Sequence, residues 1–138
     1  MMAKRKNPEH AEQVALFEWQ ERMLTRVPEI MNLFAVPNGA KLPFFKDSNG
    51  KRVCVQAQFL KAEGLKPGVP DLFLAYPNDR FHGFFMEMKA GTNKLTIEQI
   101  DWIERLSTAG YFCGVYWSWV DAANAILEYL GKKMRVAG

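Results

Sequence analysis

The chain has 138 residues, 49% of them hydrophobic and 24% charged, with a net charge of +3. This suits one globular domain with a real core, and no apolar run approaches the roughly 20 residues needed to cross a bilayer. The opening MMAKRKNPEH lacks the apolar stretch of a signal peptide, and Cys54 and Cys113 make neither a disulfide framework nor a zinc site, so the expectation is an intracellular, cytoplasmic protein without a membrane partner.

No internal repeat or low-complexity segment interrupts the chain, and residues 1–138 are expected to form one domain. Residues 1–7 form a basic arm ahead of it, and residues 132–138 a basic tail, both expected to be flexible. The first element is a helix, with Asn7 as N-cap and Pro8 at the first helical position. Val14, Phe17, Met23 and Leu24 keep helical spacing, and Pro28 marks the end region. NLFAVPNG reads as a short strand and a turn at Pro37, Asn38 and Gly39. PFFKDSNGKRV is an exposed excursion with a turn at Asn49-Gly50. CVQAQFLKAEG is a short helix closed by Gly64. Residues 71–76 and 81–88 follow as strands joined by the turn PNDR; their near-continuous apolar character predicts burial on both faces. LTIEQIDWIERLSTAG is a helix with Thr96 as N-cap and Gln99 completing a capping box. Ile97, Ile100, Ile103 and Leu106 form its predicted buried stripe, and Gly110 stops it. YFCGVYW is a further strand, and SWVDAANAILEYLG a last helix capped by Ser118. Helices packed on a central sheet follow from this order.

The chemistry sits at strand ends. Within one strand side chains alternate faces, so Glu87 and Lys89 share a face and Met86 and Met88 take the other. The turn PNDR pairs the two strands antiparallel, which brings Asp71 beside Glu87 and Lys89. Two carboxylates and an ammonium at the edge of a buried sheet are costly unless satisfied. A divalent cation is one solution: Mg²⁺ favours carboxylates, a backbone carbonyl and waters, and a bound cation activates water and stabilises charge developing on a phosphate. A plain Glu87–Lys89 salt bridge with Asp71 as a turn residue is the other.

Taken together, GVPD, an apolar strand, a second strand ending MEMK, a polar turn and LTIEQIDWIERLSTAGY resemble the PD-(D/E)xK nuclease superfamily. Within it, the chain is similar to the VRR-NUC (virus-type replication-repair nuclease) family from about Glu9 to Asp121. The resemblance implies an α/β fold with a restriction-endonuclease-like core, a central mixed sheet of about four strands flanked by helices. It implies Asp71 and Glu87 as ligands of Mg²⁺ or Mn²⁺, with the backbone carbonyl of Met88 completing the set. Lys89 becomes the catalytic lysine, and Gln99 matches the glutamine of the family's S/T-x-x-Q segment. The family's acidic residue on the first helix falls on Glu9, which has Gln13 four residues on, with Glu12 one turn away as the alternative. VPNGAK is similar to the family's Asn-Gly segment, which makes Asn38 and Lys41 phosphate contacts.

The expected function is a metal-dependent, structure-specific DNA endonuclease. Stand-alone members resemble Holliday-junction resolvases of bacteria or phages and act as homodimers on branched DNA, a four-way junction or a flap. Lys46, Lys51 and Arg52, with Asn38 and Lys41, make the expected DNA-binding set, in keeping with a sequence pI near 8.9. A less structure-selective flap or end nuclease and a catalytically silent DNA-binding module are the competing readings. His10 and His82 stand alone. Trp102, Trp117 and Trp119 offer rings on which bases could stack, but aromatic residues on helices and strands are more often core, and the three are assigned there. Phe44 and Phe45, in the exposed excursion, suit a wedge into DNA or a subunit contact, and the apolar last helix is expected to offer surface for a dimer.

Overall fold

The computed structural model describes residues 7–37, 45–53 and 55–137. The arm at residues 1–6 and the expected roles of Asn38, Lys41, Phe44 and Cys54 lie outside the described residues. In chain order the elements are α1 (Pro8–Met23), a 3₁₀ turn (Pro28–Asn32), β1 (Leu33–Ala35), β2 (Phe45–Lys46), β3 (Arg52–Val53), α2 (Val55–Ala62), β4 (Leu72–Leu74), β5 (Phe84–Met88), α3 (Ile97–Thr108), β6 (Phe112–Tyr116) and α4 (Trp119–Tyr129). Four strands make one mixed sheet in the order β1-β4-β5-β6; β2 and β3 form a separate two-stranded ribbon. β4 runs antiparallel to β1 and to β5, whereas β6 is parallel to β5. A parallel neighbour needs a crossover, which α3 supplies. No helix among the described residues is long and apolar enough to cross a membrane.

Local chemistry sets the helix starts. Asn7 Oδ1 accepts from the His10 N–H at 3.3 Å and Pro8 follows at the first helical position. Thr96 Oγ1 accepts from the Gln99 N–H while Gln99 Oε1 accepts from the Thr96 N–H, a complete capping box. Ser118 Oγ accepts from the Asp121 N–H at the start of α4. Asn78 ends β4's extension into a turn, its Oδ1 accepting from the N–H groups of Arg80 and Phe81.

The core lies on one face of the sheet. Leu72, Leu74, Phe84, Met86 and Met88 point into it, under Leu16 and Trp19 of α1 and Ala122, Ala123, Ile126 and Leu127 of α4. The opposite face carries a ladder of rings instead of a second core. Phe73 stacks on Phe85 at 4.2 Å, Phe34 meets Phe73 edge-on, and Tyr111 meets both Phe73 and Phe85 edge-on. Phe73 and Phe85 are half-buried and Phe34 is exposed. The second face is therefore only half-covered over its rings, and it becomes fully buried only at the strand ends that carry Asp71, Glu87 and Lys89.

Three further expectations change. The predicted stripe of α3 is not buried: Ile97 is 76% exposed, Ile100 48%, and Ile103 and Leu106 only half-buried. The apolar period identifies a side of a helix, not what covers it, and α3 packs mainly on β6 at the sheet edge. The last helix is no spare surface: Ala122, Ala123, Ile126, Leu127 and Tyr129 are buried in the core. The C-terminal tail is held down rather than loose. Asn124 clamps Val136 through both its amide atoms (3.0 and 2.7 Å), Lys132 pairs with Glu29 at 2.7 Å, and Met134 and Val136 pack against the core. The Lys132 hydrogen bond lowers the Glu29 pKa.

Candidate active site

The β4–β5 register pairs Leu72 with Met86 and Phe73 with Phe85, so Asp71, one residue earlier, stands opposite Glu87. Two hydrogen bonds cross this gap. The Asp71 N–H donates to Glu87 Oε2 at 3.2 Å, and the Met88 N–H donates to Asp71 Oδ2 at 3.0 Å. Each carboxylate is thus held by the backbone of the other's strand. Asp71, Glu87 and Lys89 are 4%, 3% and 7% exposed, the only buried charged residues among those described. Lys89 Nζ stands 3.8 Å from Glu87 Oε1, the shared face that strand alternation requires.

Gln99 reaches the same point from α3. Its Nε2 donates to Glu87 Oε1 at 2.7 Å while its Oε1 serves the capping box. One side chain therefore closes a helix end and fixes a carboxylate, since an amide offers a donor and an acceptor at once. The turn before Asp71 explains how α3 comes so close. Gly68 has φ +89°, a backbone conformation glycine tolerates, and a Cβ there would lie 2.6 Å from the Glu98 carbonyl carbon. Only a residue without a side chain lets this turn seat against the first turn of α3.

Burial pushes the Glu87 pKa up to about 8; the neighbouring Asp71 charge adds to the rise, and Lys89 opposes it. At 3.8 Å the lysine is too far for a hydrogen bond, so its attraction does not offset burial and the second carboxylate. The pair of oxygen-bearing groups is short of positive charge.

The two helix carboxylates part company. Glu9 Oε1 accepts from Asn93 Nδ2 at 2.9 Å, in the turn that follows Lys89. Glu12 instead accepts the Trp119 N–H at the start of α4. Among the described residues no group of three or more His, Cys, Asp and Glu side chains forms a ready metal cage; Asp71 and Glu87 converge without Glu9. Lys46, Lys51 and Arg52 are exposed on the β2–β3 ribbon, outside the sheet that carries Asp71 and Glu87. His82 serves packing: a Cβ on Gly110 would strike its ring at 2.6 Å, and the ring meets Tyr111 edge-on. A cleft of about 720 Å³, lined by Arg80, Phe112, Tyr116, Glu128 and others, opens beside the β4–β5 turn and contains none of these site residues. Sequence reasoning missed Asn93, because it owes its position to what the loop after β5 sits beside.

The donor set suits a hard divalent cation: two carboxylates, held by backbone donors and an amide, with one ammonium against two potential negative charges. A solved structure described as a VRR_NUC domain protein superposes with a TM-score of 0.71 at 22% identity, covering 93% of this chain and 92% of that one, and so shares the fold. No curated protein matches the chain. The family described as the VRR-NUC domain matches residues 7–118. That span takes in Asp71, Glu87, Lys89 and Gln99 together with the sheet and helix that assemble them, and the chain belongs to the VRR-NUC family, nucleases of the PD-(D/E)xK type.

Proposed function

We propose that the protein is a Mg²⁺- or Mn²⁺-dependent endodeoxyribonuclease that acts on branched DNA as a homodimer. The observation that carries this reading is the convergence of Asp71, Glu87, Lys89 and Gln99 at one end of the two central strands, with the Glu87 pKa raised to about 8. A site that disfavours its own negative charge is one that a cation completes.

Asp71 and Glu87 would hold the cation, with the Met88 carbonyl and waters as further ligands. When bound, it polarises the phosphoryl oxygen and lowers the pKa of water. The chain's own residues do the rest. Met88 N–H fixes the Asp71 carboxylate, and Asp71 N–H and Gln99 fix that of Glu87, so neither must be oriented during reaction. Lys89, nearly buried beside Glu87, places an ammonium where the attacked phosphate gathers negative charge and orients the attacking water. Water adds to phosphorus, one P–O ester bond breaks, and the leaving oxygen takes up a proton. Glu9, tied to Asn93 after Lys89, supplies the outer carboxylate.

Two strands of a four-way junction must be cut, and one chain has one site. A two-fold dimer supplies two. The exposed apolar side chains open to such an interface include Phe34, Phe59 and Ile97, rather than α4. Cleavage of junction, flap, single-strand and duplex substrates with Mg²⁺, Mn²⁺ or EDTA tests the reading, with sedimentation for the assembly. Paired nicks in junctions by a dimer are expected. Equal cutting of all forms by a monomer would leave a general nuclease, and no metal-dependent cutting of any form would leave a DNA-binding module.

Glu9→Gln is expected to weaken Mn²⁺ binding several-fold in a titration. Glu12→Gln should leave it near wild type and lower Tm by a few degrees, because it removes a charge from the start of α4. The reverse order would hand the metal role to Glu12.

A further inference from the structure

Trp117 is 48% exposed, although an aromatic residue between a strand and a helix is ordinarily core. Its position follows from the strand pairing. β5 and β6 are parallel with Met88 beside Tyr116, and the Lys89 N–H donates to the Tyr116 carbonyl at 2.9 Å. In a parallel ladder that bond places Lys89 opposite Trp117. The register therefore sets Trp117 across from Lys89, one residue past the ends of both strands.

The segment is also fixed. Tyr116 is tied to β5, Ser118 caps α4 through the Asp121 N–H at 3.1 Å, and the Trp119 N–H is held by Glu12. Trp119 turns inward and packs against the core. The backbone that carries this half-exposed indole is thus held on both sides, next to the strand end that carries Lys89.

We infer that Trp117 is a stacking platform for an unpaired nucleobase next to the phosphate that is cut. This rests on the nuclease reading above and deepens it. A base inside a duplex has both faces covered by its neighbours, so only a base that is unpaired, flipped or at a strand end can offer a face to the indole. Such a platform makes the site prefer single-stranded segments and branch points over continuous duplex, with little regard to sequence, because every base has a stackable face.

The test compares wild type with Trp117→Ala and Trp117→Phe, in EDTA so that no strand is cut. Binding of a single-stranded oligonucleotide and of a long duplex of the same sequence is followed by anisotropy and by tryptophan emission. Trp117→Ala is expected to bind the single strand about tenfold more weakly and the duplex as wild type does. Trp117→Phe should retain most of the single-strand affinity, since a smaller ring still stacks, yet lose the quenching of tryptophan emission that the single strand causes in wild type. That loss reads direct contact and does not depend on the alanine variant folding. Unchanged single-strand affinity and undiminished quenching in Trp117→Phe would overturn the inference while leaving the nuclease reading intact. So would equal weakening of both DNA forms, or a change in sedimentation without a change in DNA affinity, which would make Trp117 a subunit contact. A wild-type protein that binds neither form would overturn the platform, while cutting with Mg²⁺ decides the nuclease reading separately.

Discussion

Asp71→Asn, Glu87→Gln and Lys89→Ala are each expected to fold and to lose cleavage by about 100-fold or more. None of the three side chains belongs to the apolar core on the far face of the sheet, so their removal leaves the packing of β4 and β5 intact. An asparagine at 71 still offers an oxygen to the Met88 N–H, and a glutamine at 87 still offers one to Gln99 or to the Asp71 N–H. What each change removes is charge: on the proposed reading, a cation ligand in the first two and the ammonium that meets the phosphate in the third. Circular dichroism and Tm establish folding, and single-turnover cleavage measures the loss. Near wild-type rates in any one variant would remove that residue from the machinery. Asp71→Asn is also expected to raise Tm in EDTA at alkaline pH, because it relieves the repulsion between the two carboxylates.

The second large effect is on stability. Without divalent cations, Tm is expected to fall as pH rises from about 5 to about 8.5. The Glu87 carboxyl titrates near 8 in the folded protein, against an ordinary value of 4.5. Below 4.5 both states hold the proton and the group contributes nothing. Between the two values the unfolded chain releases its proton while the folded one retains it, so each rise in pH favours unfolding, and the cost is complete above about 8. The gap corresponds to at most roughly 5 kcal/mol, or on the order of 10 °C for a chain of this size. Glu87→Gln should flatten this dependence. Mg²⁺ or Mn²⁺ should raise Tm more at pH 8.5 than at pH 6, because the cation binds the ionised carboxylate and competes with its proton. A pH-independent Tm in EDTA, equal for wild type and Glu87→Gln, would show that the buried pair is not under this electrostatic load.

Much of the site was legible because its parts are local or nearly so. Asn7, Thr96 and Ser118 cap the helices through atoms three residues away, and Gly110 ends α3 with φ +99°. The facing of Glu87 and Lys89 needs only the two-residue period of a strand, and the meeting of Asp71 with Glu87 needs only that the two successive strands pair antiparallel, although residues 75–83 make a longer connection than the turn PNDR suggests. The double use of Gln99 was half visible: the capping box is a four-residue pattern, whereas its bond to Glu87 depends on Gly68 letting the preceding turn seat against α3.

What the chain by itself determined, then, is where the capped helices begin, the pairing of the two central strands, and the convergence of Asp71, Glu87 and Lys89, because these follow from backbone geometry and interactions between near neighbours. Tertiary structure alone decided which apolar surfaces are covered. Ile97 and Ile100 have the period of a buried stripe yet stay open because α3 lies at the sheet edge. The equally apolar α4 fills the core, and residues 132–137 are pinned by a single asparagine, Asn124, and an ion pair with Glu29. It also decided that Glu12 is spent on α4, that Glu9 meets the loop after Lys89, and that Trp117, just past the end of β6, stays half-exposed. Burial and long-range partnership depend on which elements come to lie beside one another, and periodicity within one segment carries no information about that.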